Sequence, residues 1–139
     1  AIAPDGNVYV ADTGNDRIQQ FSALGTFIRI WESGGSGQGQ FKSPDDLAVA
    51  TMGVYVVDTY NNRIQQFSAQ GAFIRTWGNE GSGEGQFKTP RGLAVAQMVM
   101  SMLQILVITA FSNLVIRECL SGLGVWGAQR RGSSLILKV

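Results

Sequence analysis

Apolar and polar positions alternate in short runs along the first two thirds of the chain. Val8-Tyr9-Val10-Ala11 is β-branched and aromatic, and Asp12-Thr13-Gly14-Asn15 follows it as a tight turn. The Asp and Asn side chains of that turn are expected to bond their own backbone and close it. Arg17-Ile18-Gln19-Gln20-Phe21 then alternates with period two, the mark of a half-buried strand. A turn at Gly25 leads to Phe27-Ile28-Arg29-Ile30-Trp31, which alternates again. A glycine-rich stretch, Gly34 to Gly39, runs on to Phe41-Lys42-Ser43-Pro44, and Leu47-Ala48-Val49-Ala50 begins the next unit with small residues. No helical period is sustained anywhere in residues 1–96.

The same order returns 46 residues later: Asp12 becomes Asp58, Arg17 Arg63, Phe21 Phe67 and Trp31 Trp77. Aligning 12–50 with 58–96 gives 27 identities in 39 positions without a gap. A period of this length marks a solenoid, a propeller or an array. Each period holds four short strands, the last three in a meander, which is what a propeller blade requires. The small Leu-Ala-Val-Ala strand suits the crowded axis, and Trp31 and Trp77 suit the wider outer strands. A β-helix needs a shorter period, and a sandwich does not repeat its sequence. The expected fold is all-β, a partial β-propeller of four-stranded antiparallel blades. Two blades fill residues 1–96, the first lacking the start of its innermost strand. Blades bury their faces against neighbours, so two of them should leave two apolar faces exposed. The chain is therefore expected not to be a stable monomer, and self-association could complete a ring.

Composition narrows the chemistry more than the architecture. The 139 residues are 45% hydrophobic and 15% charged, with a net charge of +1, enough for one modest core. There is no His, which removes the usual general base and the commonest zinc ligand. A single Cys allows no internal disulfide. No catalytic residue, metal or cofactor is expected. No targeting segment is read, and Ala1 falls inside the repeat pattern, as if cut from something longer.

Residues 97–139 break the repeat. After Leu93-Ala94-Val95-Ala96 the pattern calls for Pro-Asp-Gly-Asn-Val-Tyr-Val-Ala-Asp-Thr-Gly-Asn, as in blade one. The chain instead reads Gln97-Met98-Val99-Met100-Ser101-Met102-Leu103-Gln104-Ile105. If that peptide, continued through Asn-Arg-Ile-Gln-Gln-Phe, is written in codons beginning CCA GAT GGT AAT, deleting one C yields residues 97–113 in full. Restoring the frame further on gives Phe-Ser-Asn-Ser-Gly-Val-Phe-Ile-Arg-Phe-Gly-Gly, the counterpart of Phe67 to Gly78. The tail is thus expected to be a third repeat read out of frame, of uncertain structure and with no reliable domain. Its apolar run, Met98 to Ile116, is interrupted by Ser101, Gln104, Thr109, Ser112 and Asn113, so a membrane span is disfavoured. Cys119, Arg130, Arg131 and Lys138 are assigned no role. Without the tail, seven basic residues face nine acidic ones, a net of −2, and nucleic-acid binding through charge is disfavoured.

Gly35-Ser36-Gly37-Gln38-Gly39 and Gly81-Ser82-Gly83-Glu84-Gly85 superficially resemble phosphate loops. No helix follows them and no Gly-Lys-Ser/Thr is present, so a flexible blade-to-blade connection is the better account. Asp12 with Arg17, and Asp58 with Arg63, could form a polar rim. Their recurrence favours a structural role instead, with Asp closing the turn and Arg bonding it or a neighbouring carbonyl. Asp45-Asp46 is a carboxylate pair, but its counterpart is Arg91-Gly92, and two carboxylates are too few for Ca²⁺. Positions that differ between otherwise matching blades are the better carriers of specificity. Asp45, Asp46, Tyr60 and Arg91, with Lys42 and Lys88 nearby, are therefore the binding candidates, expected together on one face.

The string 8–21, Val-Tyr-Val-Ala-Asp-Thr-Gly-Asn-Asp-Arg-Ile-Gln-Gln-Phe, resembles the NHL repeat. So does Gly85-Gln86-Phe87-Lys88-Thr89-Pro90-Arg91-Gly92-Leu93-Ala94-Val95 at the blade junction, and the resemblance covers residues 1–96. It implies a six-bladed parent with a central channel, serving as a platform for protein partners, RNA or small ligands. Some relatives are enzymes, among them a zinc lyase and a hydrolase-like group, and the chain lacks the His ligands the lyase needs. The leading expectation is a non-enzymatic scaffold for a protein or other ligand. The alternatives are a fragment of a propeller enzyme with its catalytic residues in other blades, and an RNA-binding face.

Overall fold

Strands form where the alternation places them. The computed structural model describes residues 1–100, 103–110, 114–119, 128–131 and 134–137, with side chains described for 1–31 and 33–95. Blade one contributes β1 (Val8–Asp12), β2 (Arg17–Phe21) and β3 (Phe27–Glu32), in the order β1-β2-β3. Blade two is a four-stranded meander of β4 (Pro44–Ala50), β5 (Gly53–Asp58), β6 (Arg63–Phe67) and β7 (Phe73–Trp77). All pairings are antiparallel. The start of the chain supplies a stub of a fourth strand to blade one. Ile2 bridges Val8, and the Ala1 amine donates to the Tyr9 carbonyl.

The protein is all-β among its described residues, and the two sheets are compatible with a partial propeller. The 46-residue period reappears as geometry. Asp12 pairs with Arg17 across β1 and β2, and Asp58 with Arg63 across β5 and β6. The register slips at Gln20/Phe21 in one blade and at Gln66/Phe67 in the other. Such a bulge turns the outer strand more steeply, as a blade needs.

The core between the blades comes from alternate residues of facing strands. Tyr9, Ile18 and Trp31 of blade one meet Leu47, Val54, Val56 and Phe67 of blade two, with Phe41 from the connection between them. Trp31 stacks on Phe67 at 5.5 Å and 27°. Tyr9 lies 5.7 Å from Trp31, and Phe41 5.4 Å from Phe67. Each buried side chain contributes about 1.5–3 kcal/mol, and each aromatic pair about 0.5–1.5 kcal/mol more.

A second cluster of the same chemistry lies one repeat further on. Tyr55, Val57, Ile64 and Phe87 are buried with Ala50, Trp77, Leu93 and Val95 around them. This corrects the expectation of two exposed faces. The Trp77 side of blade two is covered, because the chain continues past Leu93 into β8 (Val95–Met100), which packs on β4. The face left open belongs to blade one, where Val10 is 41% and Phe27 54% exposed.

The chain goes on to β9 (Leu103–Ala110) and β10 (Leu114–Cys119), in the order β10-β9-β8, then pairs β11 (Ala128–Arg131) with β12 (Ser134–Leu137). The described part of the apolar run thus lies in three strands. No helix among the described residues is long and apolar enough to cross a membrane.

Candidate binding surface

The candidate residues lie in or beside the turns and connections at one end of the blades, with Asp45 and Asp46 at the start of β4. The turn after β1 is a single 3-10 turn, Thr13–Asn15, and its copy after β5 is Thr59–Asn61. Both are closed by backbone, with Asp16 N donating to Thr13 O and Asn62 N to Thr59 O. Asp16 and Asn62 take the left-handed conformation there, at φ 53° and 52°. Asp and Asn tolerate that region best among residues with a side chain.

Asp12 and Asp58 do not cap their turns, which corrects the expected closing role. Each carboxylate instead gathers side chains. Asp58 accepts from Arg63 Nε at 2.7 Å, from Asn61 Nδ2 and from Gln65 Nε2 at 3.0 Å, and from the backbone of Lys42 at 2.7 Å. Arg63 reaches beyond it to the carbonyls of Ser36, Gly37 and Gln40, each at 2.8 Å. The connection 34–42 is therefore pinned rather than flexible. It is also folded on itself, with Phe41 N donating to Ser33 O and Gly35 N to Phe41 O. Gly35 and Gly81 hold positive φ of 149° and 157°, where any other side chain is strained, and a Cβ there would also displace the end of the Gln40 or Gln86 side chain.

Asp12 repeats the arrangement with Arg17 Nε at 2.6 Å, Asn15 Nδ2 at 2.9 Å and Gln19 Nε2 at 2.9 Å. Those hydrogen bonds, the one from Arg17 foremost and that from Asn15 next, hold its carboxyl below the usual 3.8.

The blade-specific candidates sit around these turns. Tyr60 is 56% exposed, and its backbone N–H donates to Lys42 O at 3.1 Å. Thr59 Oγ1 donates to Pro90 O at 2.8 Å, which sets the same turn beside Arg91. Thr13 Oγ1 does likewise to Pro44 O at 2.7 Å, beside Asp45. Lys42, Asp45, Lys88 and Arg91 are exposed. Asp46 is not a free ligand, because its Oδ1 accepts from Leu47 N and its Oδ2 from Leu93 N, both at 2.8 Å. It ties β4 to the start of the next unit, so Asp45 and Asp46 do not act as a pair.

Sequence reasoning missed two features. Asp16 and Asn62 each hold the following connection, with Asp16 Oδ1 accepting from Ser43 N and Asn62 Oδ1 from Thr89 N. Their position just after each turn is the signal that could have revealed them. The second feature is a cavity of about 430 Å³ at the opposite end of the blades, lined by Pro4, Tyr9, Thr51, Met52, Ser68 and Gln70. Residues from separate turns build it, so no local motif announces it. Burial first, and the nearby Asp5 next, push the Tyr9 hydroxyl above its ordinary 10.0, which keeps it a neutral donor. It donates to Ala69 O and accepts from Gln20 Nε2.

Among the described residues no group of three or more His, Cys, Asp or Glu side chains could hold a metal. The side chains of Cys119, Arg130, Arg131 and Lys138 lie outside the described residues.

The sheets and their shared clamp define a blade-built all-β protein, compatible with part of a propeller. Within that class, the family model for the NHL repeat matches residues 1–21, an NHL-type segment spanning the Ile2 stub, β1, its turn and β2. No curated protein matches the chain at a significant level.

Proposed function

We propose that the chain is a non-enzymatic binding platform, taking a protein or other ligand over Lys42, Asp45, Tyr60, Lys88 and Arg91. The observation that carries this reading is a division of labour. The Asp, Arg, Asn and Gln side chains common to both blades are spent on internal bonds, while Asp45, Tyr60 and Arg91, which differ between the blades, stand exposed near the two turns with the shared Lys42 and Lys88. An exposed Tyr with an Arg beside it has the composition of an interaction hot spot. A peptide library displayed on phage and selected against the full chain tests this. Enriched clones should lose about tenfold or more in affinity to Tyr60→Ala and Arg91→Ala chains, the scale of a hot-spot truncation. Enrichment indifferent to both substitutions refutes it, and salt-sensitive binding of oligouridine would favour an RNA-binding face instead.

We also infer that residues 97–139 are a third repeat read out of frame. Sequencing genomic DNA and transcript across the Ala96 codon tests this. Downstream codons that do not restore a repeat in the neighbouring frame would refute it.

A further inference from the structure

The two repeats agree along their strands and part at one turn. Residues 8–21 and 54–67 differ at only three positions. The turn before them is Pro4-Asp5-Gly6-Asn7 in blade one and Thr51-Met52-Gly53 in blade two, one residue shorter and without a charge. Both turns line the cavity of about 430 Å³ at the end of the blades away from Tyr60 and Arg91, together with the turn between β6 and β7. Its floor includes Tyr9 and Val54, 2% and 0% exposed, and its lip Met52 and Ile74, 40% and 49% exposed. The volume and the mostly apolar wall are those of a small-molecule site.

Among the described residues of the lining, Asp5 alone is charged. Its carboxylate is exposed but held in place, with Oδ1 accepting from Asn7 N at 3.0 Å and Oδ2 from Asn7 Nδ2 at 2.8 Å. A carboxylate offers about four acceptor sites, so room remains for a further donor. The other polar atoms here are mostly acceptors. Ala69 O takes the Tyr9 hydroxyl, and Gln70 O takes Arg29 Nη1 at 2.8 Å, so this wall already binds one cation. Arg29 is thereby drawn away from Gln20. In blade two the corresponding Arg75 donates its Nε to Gln66 Oε1 at 2.7 Å. In blade one Gln20 Oε1 has no hydrogen-bond partner among the described residues, although Gln20 is only 4% exposed. The same side chain donates through Nε2 to the Tyr9 hydroxyl on the cavity floor. At that hydroxyl the negative field of Asp5 outweighs the positive field of Arg29. A surplus of acceptors favours a ligand that brings donors and positive charge.

We infer that this cavity is a second binding site, for a small organic amine whose ammonium pairs with Asp5 while its apolar body lies over Tyr9 between Met52 and Ile74. The site is independent of the surface around Tyr60 and uses the one turn in which the blades differ in both length and chemistry.

Phenethylamine is the probe, titrated into the full chain carrying carbon-13 at its methionine methyls. The Met52 signal is assigned by its loss in Met52→Leu. It should shift saturably in the millimolar range, as a ligand of so few atoms allows. Asp5→Asn should weaken binding about threefold to fivefold, the scale of an exposed ion pair. Ile74→Lys sets a rival ammonium at the lip and should weaken the amine without weakening hydrocinnamate, the carboxylate of similar shape. Both substitutions fall on exposed side chains, so the fold is retained. An unmoved Met52 methyl overturns the proposal. So does hydrocinnamate binding the unsubstituted chain as tightly as the amine, or an Asp5→Asn chain that binds the amine equally well.

Discussion

Blade one and blade two carry nearly one sequence in two environments. The Asp–Arg pair, the Asn and Gln beside it and the alternating valines recur at a spacing of 46. In blade two they are sealed under a neighbouring loop and an aromatic stack; in blade one they face outward. Local sequence therefore sets what a surface is made of, and its neighbours set what that surface is worth in free energy.

Matched substitutions test this, beginning with the largest expected effect. Asp58→Ala removes a fully buried carboxylate and strips the Arg63 guanidinium and the Lys42 N–H of their acceptor, and should cost about 3 kcal/mol in urea denaturation. Asp12→Ala removes the same group from the open blade and should barely move the urea midpoint. Equal effects from the two would erase the distinction between the blades.

Gly71 and Gly25 come next. Both hold a left-handed backbone, at φ 87° and 81°, but a Cβ on Gly71 would fall on the Trp31 indole and one on Gly25 meets open space. Alanine should cost about 3 kcal/mol at Gly71, from overpacking and strain together. At Gly25 strain alone remains, about 1 kcal/mol. Val56→Ala should cost about 2 kcal/mol and Val10→Ala less than about 1, following their burial.

The smallest effect is one of pH. Because the Asp12 carboxyl sits below 3.8, chiefly through Arg17, its contribution is present above that value and lost as pH falls through the depressed one. A carboxyl-carbon NMR titration should place its midpoint below 3.8, and Arg17→Gln should raise it. An unmoved midpoint would remove Arg17 as the cause.

Much of the fold was legible because period-two alternation and a repeated spacing are local signals. β2, β3, β6 and β7 lie on the alternating runs, and Trp31 and Trp77 fall on outer strands as their bulk demands. The turns were legible as turns, but not in how they close. A carboxylate in Asp-Thr-x-Asn has its own backbone within reach, and only the partner strand brings Arg and Gln close enough to compete for it. The glycine loops looked slack for a similar reason, since the side chains that pin 34–42 lie more than twenty residues away in Asn61, Arg63 and Gln65. Asp46 could not be told from Asp45 until its link to Leu93 was visible.

The sequence by itself determined the strand order, the repeating unit and the chemistry presented at each position, because each follows from alternation and turn propensity within one period. Only the tertiary structure decided which copy of that unit is a core and which a surface. Burial and hydrogen-bond satisfaction belong to pairs of elements distant along the chain, so identical residues acquire different fates from what is stacked against them.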